Sequence, residues 1–224
     1  MKKTLLTIAT LSILVLPSLT SAAQGRPGGY GSLFLGVSLL DDTNVTTDVY
    51  PDTYYDRIEF DPGVYVGGTA GYDFGMVRFE GELSYRQNEM DALTDRGNTG
   101  INYGGVDGDV DVYAVMANAF LDFHNDSPIT PYIGGGIGVA TIYISETSAT
   151  IDGIRQPIYA DDDESVFAYQ VGGGLDIALN RQTSLDIGYR YFGTDKARFD
   201  SDWSQSKSFE IESHNVAVGI RFKF

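Results

Sequence analysis

Few residues of this chain can do chemistry at neutral pH: there are two histidines, His124 and His214, and no cysteine among 224 residues. Without thiols, disulfides, thiolate metal sites and a Cys-linked lipid anchor are excluded. Ester hydrolysis needs a nucleophile activated by a neighbouring base. His214 has Ser213, Glu212 and Ser208 close in sequence, but alternation along an extended strand puts Ser213 on the opposite face. His124 falls at the far end of its run, beside a short connection and away from the long ones, so no catalytic residue is assigned. The more telling residues are eight charges set among apolar alternation: Arg78, Glu80, Glu82, Asp122, Asp176, Asp186, Arg190 and Arg221. Charges withdrawn from water must pair to offset their desolvation.

Eight runs with period 2 carry these residues, at 30–39, 63–73, 76–86, 110–123, 131–144, 166–179, 183–192 and 212–224. Each is long enough for a tilted membrane strand, which needs roughly 9–11 residues. In 76–86 one face reads Val77, Phe79, Gly81, Leu83, Tyr85 and the other Met76, Arg78, Glu80, Glu82, Ser84, Arg86. In 212–224, Val216, Val218, Ile220, Phe222 and Phe224 oppose Asn215, Ala217, Gly219, Arg221 and Lys223. Connections alternate between short and long. The short ones carry turn residues at Asp73-Phe74-Gly75, Asn125-Asp126-Ser127-Pro128 and Asn180-Arg181-Gln182. The long ones cover roughly 40–62, 87–109, 145–165 and 193–211. Short turns on one side and long loops on the other are the pattern of an outer-membrane barrel, and it places both termini on the periplasmic side.

Aromatic placement separates this reading from a soluble sandwich. Tyr85, Tyr113, Tyr143, Tyr169 and Tyr191 fall on the apolar face near the long connections. Tyr30, Tyr72, Phe123, Phe222 and Phe224 lie near the opposite ends. Two aromatic rings with aliphatics between them are expected at the two membrane interfaces. Glycines such as Gly134, Gly136, Gly138, Gly172, Gly174, Gly188 and Gly219 share the other face with the charges, which suits a narrow lumen lined by small and polar groups. The predicted fold is all-β: an eight-stranded antiparallel up-and-down transmembrane β-barrel over 24–224. Residues 1–23, with Lys2, Lys3, an apolar core from Leu5 to Leu16 and Ser21-Ala22-Ala23, read as a cleaved signal peptide.

Formal charge is −16, and removing Lys2 and Lys3 makes it −18, which argues against nucleic acid as a partner. Most of this charge falls in the long connections. Residues 40–62 hold seven acids and one Arg, 87–109 five and one, and 145–165 six and one; 193–211 hold four acids and three cations. Asp161-Asp162-Asp163-Glu164 and Asp107-x-Asp109-x-Asp111 offer oxygen ligands of the kind Ca²⁺ and Mg²⁺ take. Val112 stands where an EF-hand places Gly, and GGVDGDVDV is one copy where a calcium-binding β-roll stacks several. Solvated charge, bridged by divalent ions to lipopolysaccharide phosphates, is the expectation, with no metal site or cofactor assigned. Trp203, the only Trp, lies in the fourth long connection with Phe199 and Phe209, where aromatics either pack on the rim or meet a host or phage surface.

The ending VAVGIRFKF, with terminal Phe224, resembles the signal read by the outer-membrane assembly machinery. TPYIGGGIGVA and TSLDIGYRYFGT resemble the small eight-stranded barrels of the OmpA-like and opacity-protein group of porin-like surface antigens. That resemblance implies a structural and surface-interaction protein of the outer membrane, with lipid, lipopolysaccharide and the assembly machinery as partners. An eight-stranded interior is just wide enough for side chains to fill, so the eight charges are expected to form a salt-bridged plug. A small passive porin is the main alternative, and a lipid-modifying enzyme dependent on His214 the weaker one.

Overall fold

The structure, a computed structural model, describes residues 27–49, 52–95, 102–104, 109–144, 147–151, 154–159, 162–201 and 205–224, with side chains for 27–42, 60–89, 109–143, 163–196 and 210–224. Eight long strands form the barrel: β1 (Gly28–Leu40), β2 (Gly63–Asp73), β3 (Val77–Asp95), β4 (Asp109–Asp122), β5 (Ile129–Ile144), β6 (Asp162–Ala178), β7 (Thr183–Thr194) and β8 (Glu212–Lys223). Each pairs antiparallel with its sequence neighbours. β1 also pairs with β8, from Tyr30↔Lys223 to Leu40↔Ser213. The ring is therefore closed, and closure removes the edges an open sheet exposes.

The three short turns form because an Asp or Asn side chain caps each one. Asp73 Oδ1 accepts from the Gly75 amide at 2.7 Å, with Gly75 at φ +103°, a conformation other residues rarely adopt. Asn125 Oδ1 accepts from the Ser127 amide at 2.8 Å. Asn180 Oδ1 accepts from the Gln182 and Thr183 amides at 2.9 Å. These are side-chain mimics of a backbone turn.

Odd positions of β3 from 77 to 89 and even positions of β8 look outward; their neighbours look into the lumen. Leu83, Val115, Val218 and Ile220 are exposed on the barrel wall, whereas Glu82 and Arg190 are buried inside it. This distribution inverts that of a water-soluble protein. The glycines of β5 are needed for that narrow interior. A Cβ on Gly138 would lie 2.0 Å from the Val115 carbonyl oxygen and one on Gly136 1.9 Å from Asn118 Oδ1.

Four features differ from the sequence reading. β3 continues to Asp95 rather than ending at 86, because Gln87, Asn88 and Glu89 pair with Asp111, Val110 and Asp109 although the apolar alternation has stopped. Backbone pairing does not need a lipid-facing side chain. The long connections are not plain loops: they contain Thr43–Val49, Asp52–Phe60, Asn102–Gly104, Thr147–Ile151, Ile154–Tyr159, Ala197–Ser201 and Gln205–Phe209. Tyr30, expected in an aromatic ring, is buried in the lumen because the even positions of β1 look inward. Finally, the lumen is not polar throughout. Its half nearest the long connections is filled by Val110, Val112, Met116, Ile142, Val166 and Phe192, with Leu40, Ile211 and three alanines. β4 has apolar residues on both faces, so its period-2 signal could not reveal this cluster.

Candidate functional site

The lumen is a stack of polar layers below an apolar one. At the short-turn end, Lys223 Nζ donates to Asp73 Oδ2 at 3.0 Å. Arg221 reaches Asp176 and, at 3.1 Å, Asp186. Asp186 also accepts from the Tyr132 hydroxyl at 2.9 Å, and Asp176 from Ser184 Oγ at 2.9 Å. Arg78 pairs with Asp122 at 3.3 Å and lies over the Phe120 and Tyr132 rings at 4.8 and 4.7 Å. Tyr132 itself fits because β6 and β7 place Gly174 and Gly188 beneath its hydroxyl.

The middle layer centres on two carboxylates one pleat apart on β3. Arg190 lies 3.6 Å from Glu80 and 3.5 Å from Glu82. Glu80 accepts from the Tyr30 hydroxyl at 2.6 Å. Glu82 accepts from Tyr65 at 3.1 Å, Asn118 at 3.0 Å and Gln170 at 2.9 Å. Charge-assisted bonds of this kind are roughly twice as strong as neutral ones. Above them Arg86 is wholly buried between the rings of Tyr65 and Phe192, at 4.6 and 4.0 Å. Its Nε donates to Asn215 Oδ1 at 3.3 Å and its Nη1 to Ser84 Oγ at 3.2 Å. Phe192 then joins the apolar cluster.

All eight charges named from the sequence lie on this inner face, with Asp176 the least enclosed. They form three groups: Arg221 with Asp176 and Asp186, Arg78 with Asp122, and Arg190 with Glu80 and Glu82. Sequence reasoning passed over the ligands that complete them, Tyr30, Tyr65, Asn118, Tyr132 and Gln170, and also Arg86. Each stands at an inward position, so the parity that found the charges was the available signal.

On the outer surface, Tyr85, Tyr113, Tyr143, Tyr169 and Tyr191 sit on the wall near the long connections. Tyr113 packs on both Tyr85 and Tyr143, with ring centroids 4.8 and 5.6 Å apart. Tyr85 donates to Asp111 at 2.7 Å and Tyr191 to Glu212 at 2.6 Å. Phenol rings thus lie on the apolar wall while their hydroxyls meet charged groups above it. At the other end Tyr72, Phe222 and Phe224 are exposed, and Tyr72 packs on Phe74 at 4.6 Å.

His214 is on this outer wall, not in the lumen. Its Nδ1 is 2.6 Å from the Tyr189 hydroxyl and its Nε2 3.5 Å from Asp41. Ser213 is buried on the opposite face, so the imidazole has a phenol and a carboxylate beside it rather than an aliphatic hydroxyl. His124 is exposed at the short-turn end. Among the described residues no three His, Cys, Asp or Glu side chains converge to hold a metal. Asp107, Asp161 and Trp203 lie outside the described residues, as does the proposed signal segment 1–23.

A family model described as an outer membrane protein beta-barrel domain matches residues 7–224. The outer membrane protein PagN of Salmonella typhimurium is 29% identical over 181 residues, spanning 72% of this chain and 74% of that protein. The structure of the outer membrane protein OprG from Pseudomonas aeruginosa aligns over 90% of this chain and 98% of its own, at 15% identity and TM-score 0.57. Neisserial surface protein A aligns over 89% and 100%, at 19% identity and TM-score 0.50. At those identities the two structures speak to the fold alone.

Proposed function

This chain belongs to the outer membrane protein beta-barrel domain family, and from that premise we propose a structural and surface-interaction role in which the barrel is a sealed anchor for its long connections. The observation that carries this reading is the filled lumen. Salt-bridged layers at Arg221, Arg78 and Arg190 are followed by a dry cluster in which Val112, Ile142 and Phe192 are completely buried. No enzymatic activity is assigned to it.

In this reading both termini are periplasmic and the acidic connections are extracellular. The signal segment directs export, Phe224 engages the assembly machinery, and Tyr72, Tyr85, Tyr113, Tyr143, Tyr169, Tyr191, Phe222 and Phe224 sit at the two interfaces of the bilayer. Lipopolysaccharide surrounds the acidic rim through divalent cations. The porin alternative requires Arg190 to release Glu80 and Glu82 and the apolar cluster to part as well. A lipid-modifying enzyme requires a nucleophile beside His214, where the geometry offers Tyr189.

Planar-bilayer recording of the refolded chain tests the sealed anchor. The expected record is flat. Steady unitary conductance that disappears in Glu82→Gln or Arg190→Met overturns the reading in favour of the porin.

A further inference from the structure

Where β7, β8 and β1 meet near the long connections, the outer wall carries a polar cluster. β1 and β8 pair there as Leu39↔His214 and Leu40↔Ser213. One step on, the Asp41 amide donates to the Glu212 carbonyl at 2.9 Å, which sets Asp41 opposite Glu212 on the outward face. Like charges directly opposed across a strand pair destabilise it. Asp41 Oδ2 lies 3.5 Å from His214 Nε2, and Glu212 Oε1 accepts from the Tyr191 hydroxyl at 2.6 Å. Among the described residues no Lys or Arg pairs with either carboxylate, so each keeps an oxygen for a further donor. Aromatic rings wall the place. His214 stacks on Tyr189 with centroids 6.0 Å apart, and Tyr191 lies 5.4 Å from it. The cluster is open, with the Asp41 and His214 side chains 49% and 41% exposed.

Toward the short turns the same two strands present Leu39, Val37, Val216 and Val218, all exposed on the lipid-facing wall. A polar cluster at the end of an apolar column is met in a membrane by a lipid, with its tail on the aliphatic side chains and its head at the carboxylates. Two opposed carboxylates favour a cationic head, and aromatic faces favour the same charge. A bare divalent ion fits less well, because among the described residues no three His, Cys, Asp or Glu side chains converge. An ammonium needs no such convergence, since its three N–H donors reach separate acceptors. We infer that this patch binds an ethanolamine phospholipid, whose ammonium donates to Asp41 and Glu212 beside the Tyr191 and His214 rings and whose acyl chain lies along Leu39 and Val216. A choline head has the charge but no N–H to donate. Lipid A with bare phosphates would set anions against the two carboxylates.

The test uses the full chain refolded into vesicles of phosphatidylcholine, phosphatidylethanolamine and phosphatidylglycerol in equal amounts with matched acyl chains. Native mass spectrometry of the released barrel counts the lipids it retains. Retained ethanolamine lipid is expected to exceed choline lipid by about tenfold, two charged hydrogen bonds of surface-pair strength. Asp41→Asn/Glu212→Gln is expected to bring the two within about twofold of each other. Glu89→Gln/Asp109→Asn removes as much charge from the outward rim of the β3–β4 pair and is expected to leave the preference intact. Tyr191→Leu/His214→Leu is expected to lower retention of both heads by about threefold, with heat-modifiable gel migration confirming that each variant folds. Equal retention of ethanolamine and choline lipid by the native chain, or equal losses in the two charge variants, overturns the proposal. So does retention of the glycerol lipid that depends on added Mg²⁺, which would make the patch a metal bridge. Displacement of the ethanolamine lipid by equimolar lipid A overturns it as well, because lipid A would then be the occupant.

Discussion

Replacing Arg190 by Met leaves Glu80 and Glu82 buried without the guanidinium that lies 3.6 and 3.5 Å from them. Both carboxylates are almost fully enclosed, at 6% and 1% exposure. Hydrogen bonds from Tyr30, Tyr65, Asn118 and Gln170 remain, but they do not neutralise two like charges one pleat apart. Removing one partner of a buried pair costs about 3–5 kcal/mol, and the retained bonds place Arg190→Met toward the lower end. The assay is equilibrium urea unfolding in lipid vesicles, read as the fraction of fast-migrating barrel on an unheated gel. Arg190→Met should lower stability by about 3 kcal/mol. Adding Glu80→Gln should recover most of it, because Glu82 then remains opposite the wholly buried Arg86 and no net charge is left in the layer. A loss below about 1 kcal/mol, or an Arg190→Met/Glu80→Gln double variant less stable than Arg190→Met, would refute the pairing argument.

Other expectations concern the wall, the glycines and the outer histidine. Leu83→Arg, set on the lipid face between Gly68 and Val115, should cost about 2–4 kcal/mol in the same urea assay. Gly138→Ala, whose Cβ meets the Val115 carbonyl at 2.0 Å, should lower the folded fraction sharply, while Gly81→Ala, with its nearest neighbour at 4.0 Å, should leave it unchanged. The native chain and His214→Ala should release no fatty acid from lipid A; release by the native chain that is lost in the variant would contradict the non-enzymatic reading. Phe224→Ala should reduce the heat-modifiable barrel recovered in outer-membrane fractions, read by gel shift, and unchanged recovery would remove Phe224 from assembly.

Strand count, turn positions and inner face were legible because lipid and lumen impose opposite preferences on alternate residues. β3 shows this best, with Phe79, Leu83 and Tyr85 outside and Arg78, Glu80 and Glu82 within. Legibility failed where that contrast vanished. In β4 an apolar lumen lies behind an apolar wall, so Val112 and Val115 look alike in sequence though one is buried and the other exposed. Tyr30 was misplaced for a related reason: a tyrosine is at home at a bilayer interface and equally in a tight lumen, where its hydroxyl finds Glu80. The strands beyond the rim escaped notice because polar residues pair their backbones as well as apolar ones, as Gln87 to Glu89 show.

A cysteine scan tests the sealed barrel most directly, since the native chain has no Cys to give background. Ser38, Ser84, Ser184 and Ser213 are buried at different heights along the lumen, and Ser→Cys barely changes their volume. In bilayers these four single-Cys variants should resist a small charged thiol reagent, while Leu83→Cys, Val218→Cys and Ile220→Cys resist it too but react with a lipid-soluble maleimide. Rapid labelling of the four lumen positions by the charged reagent would show a water-filled passage and contradict the account.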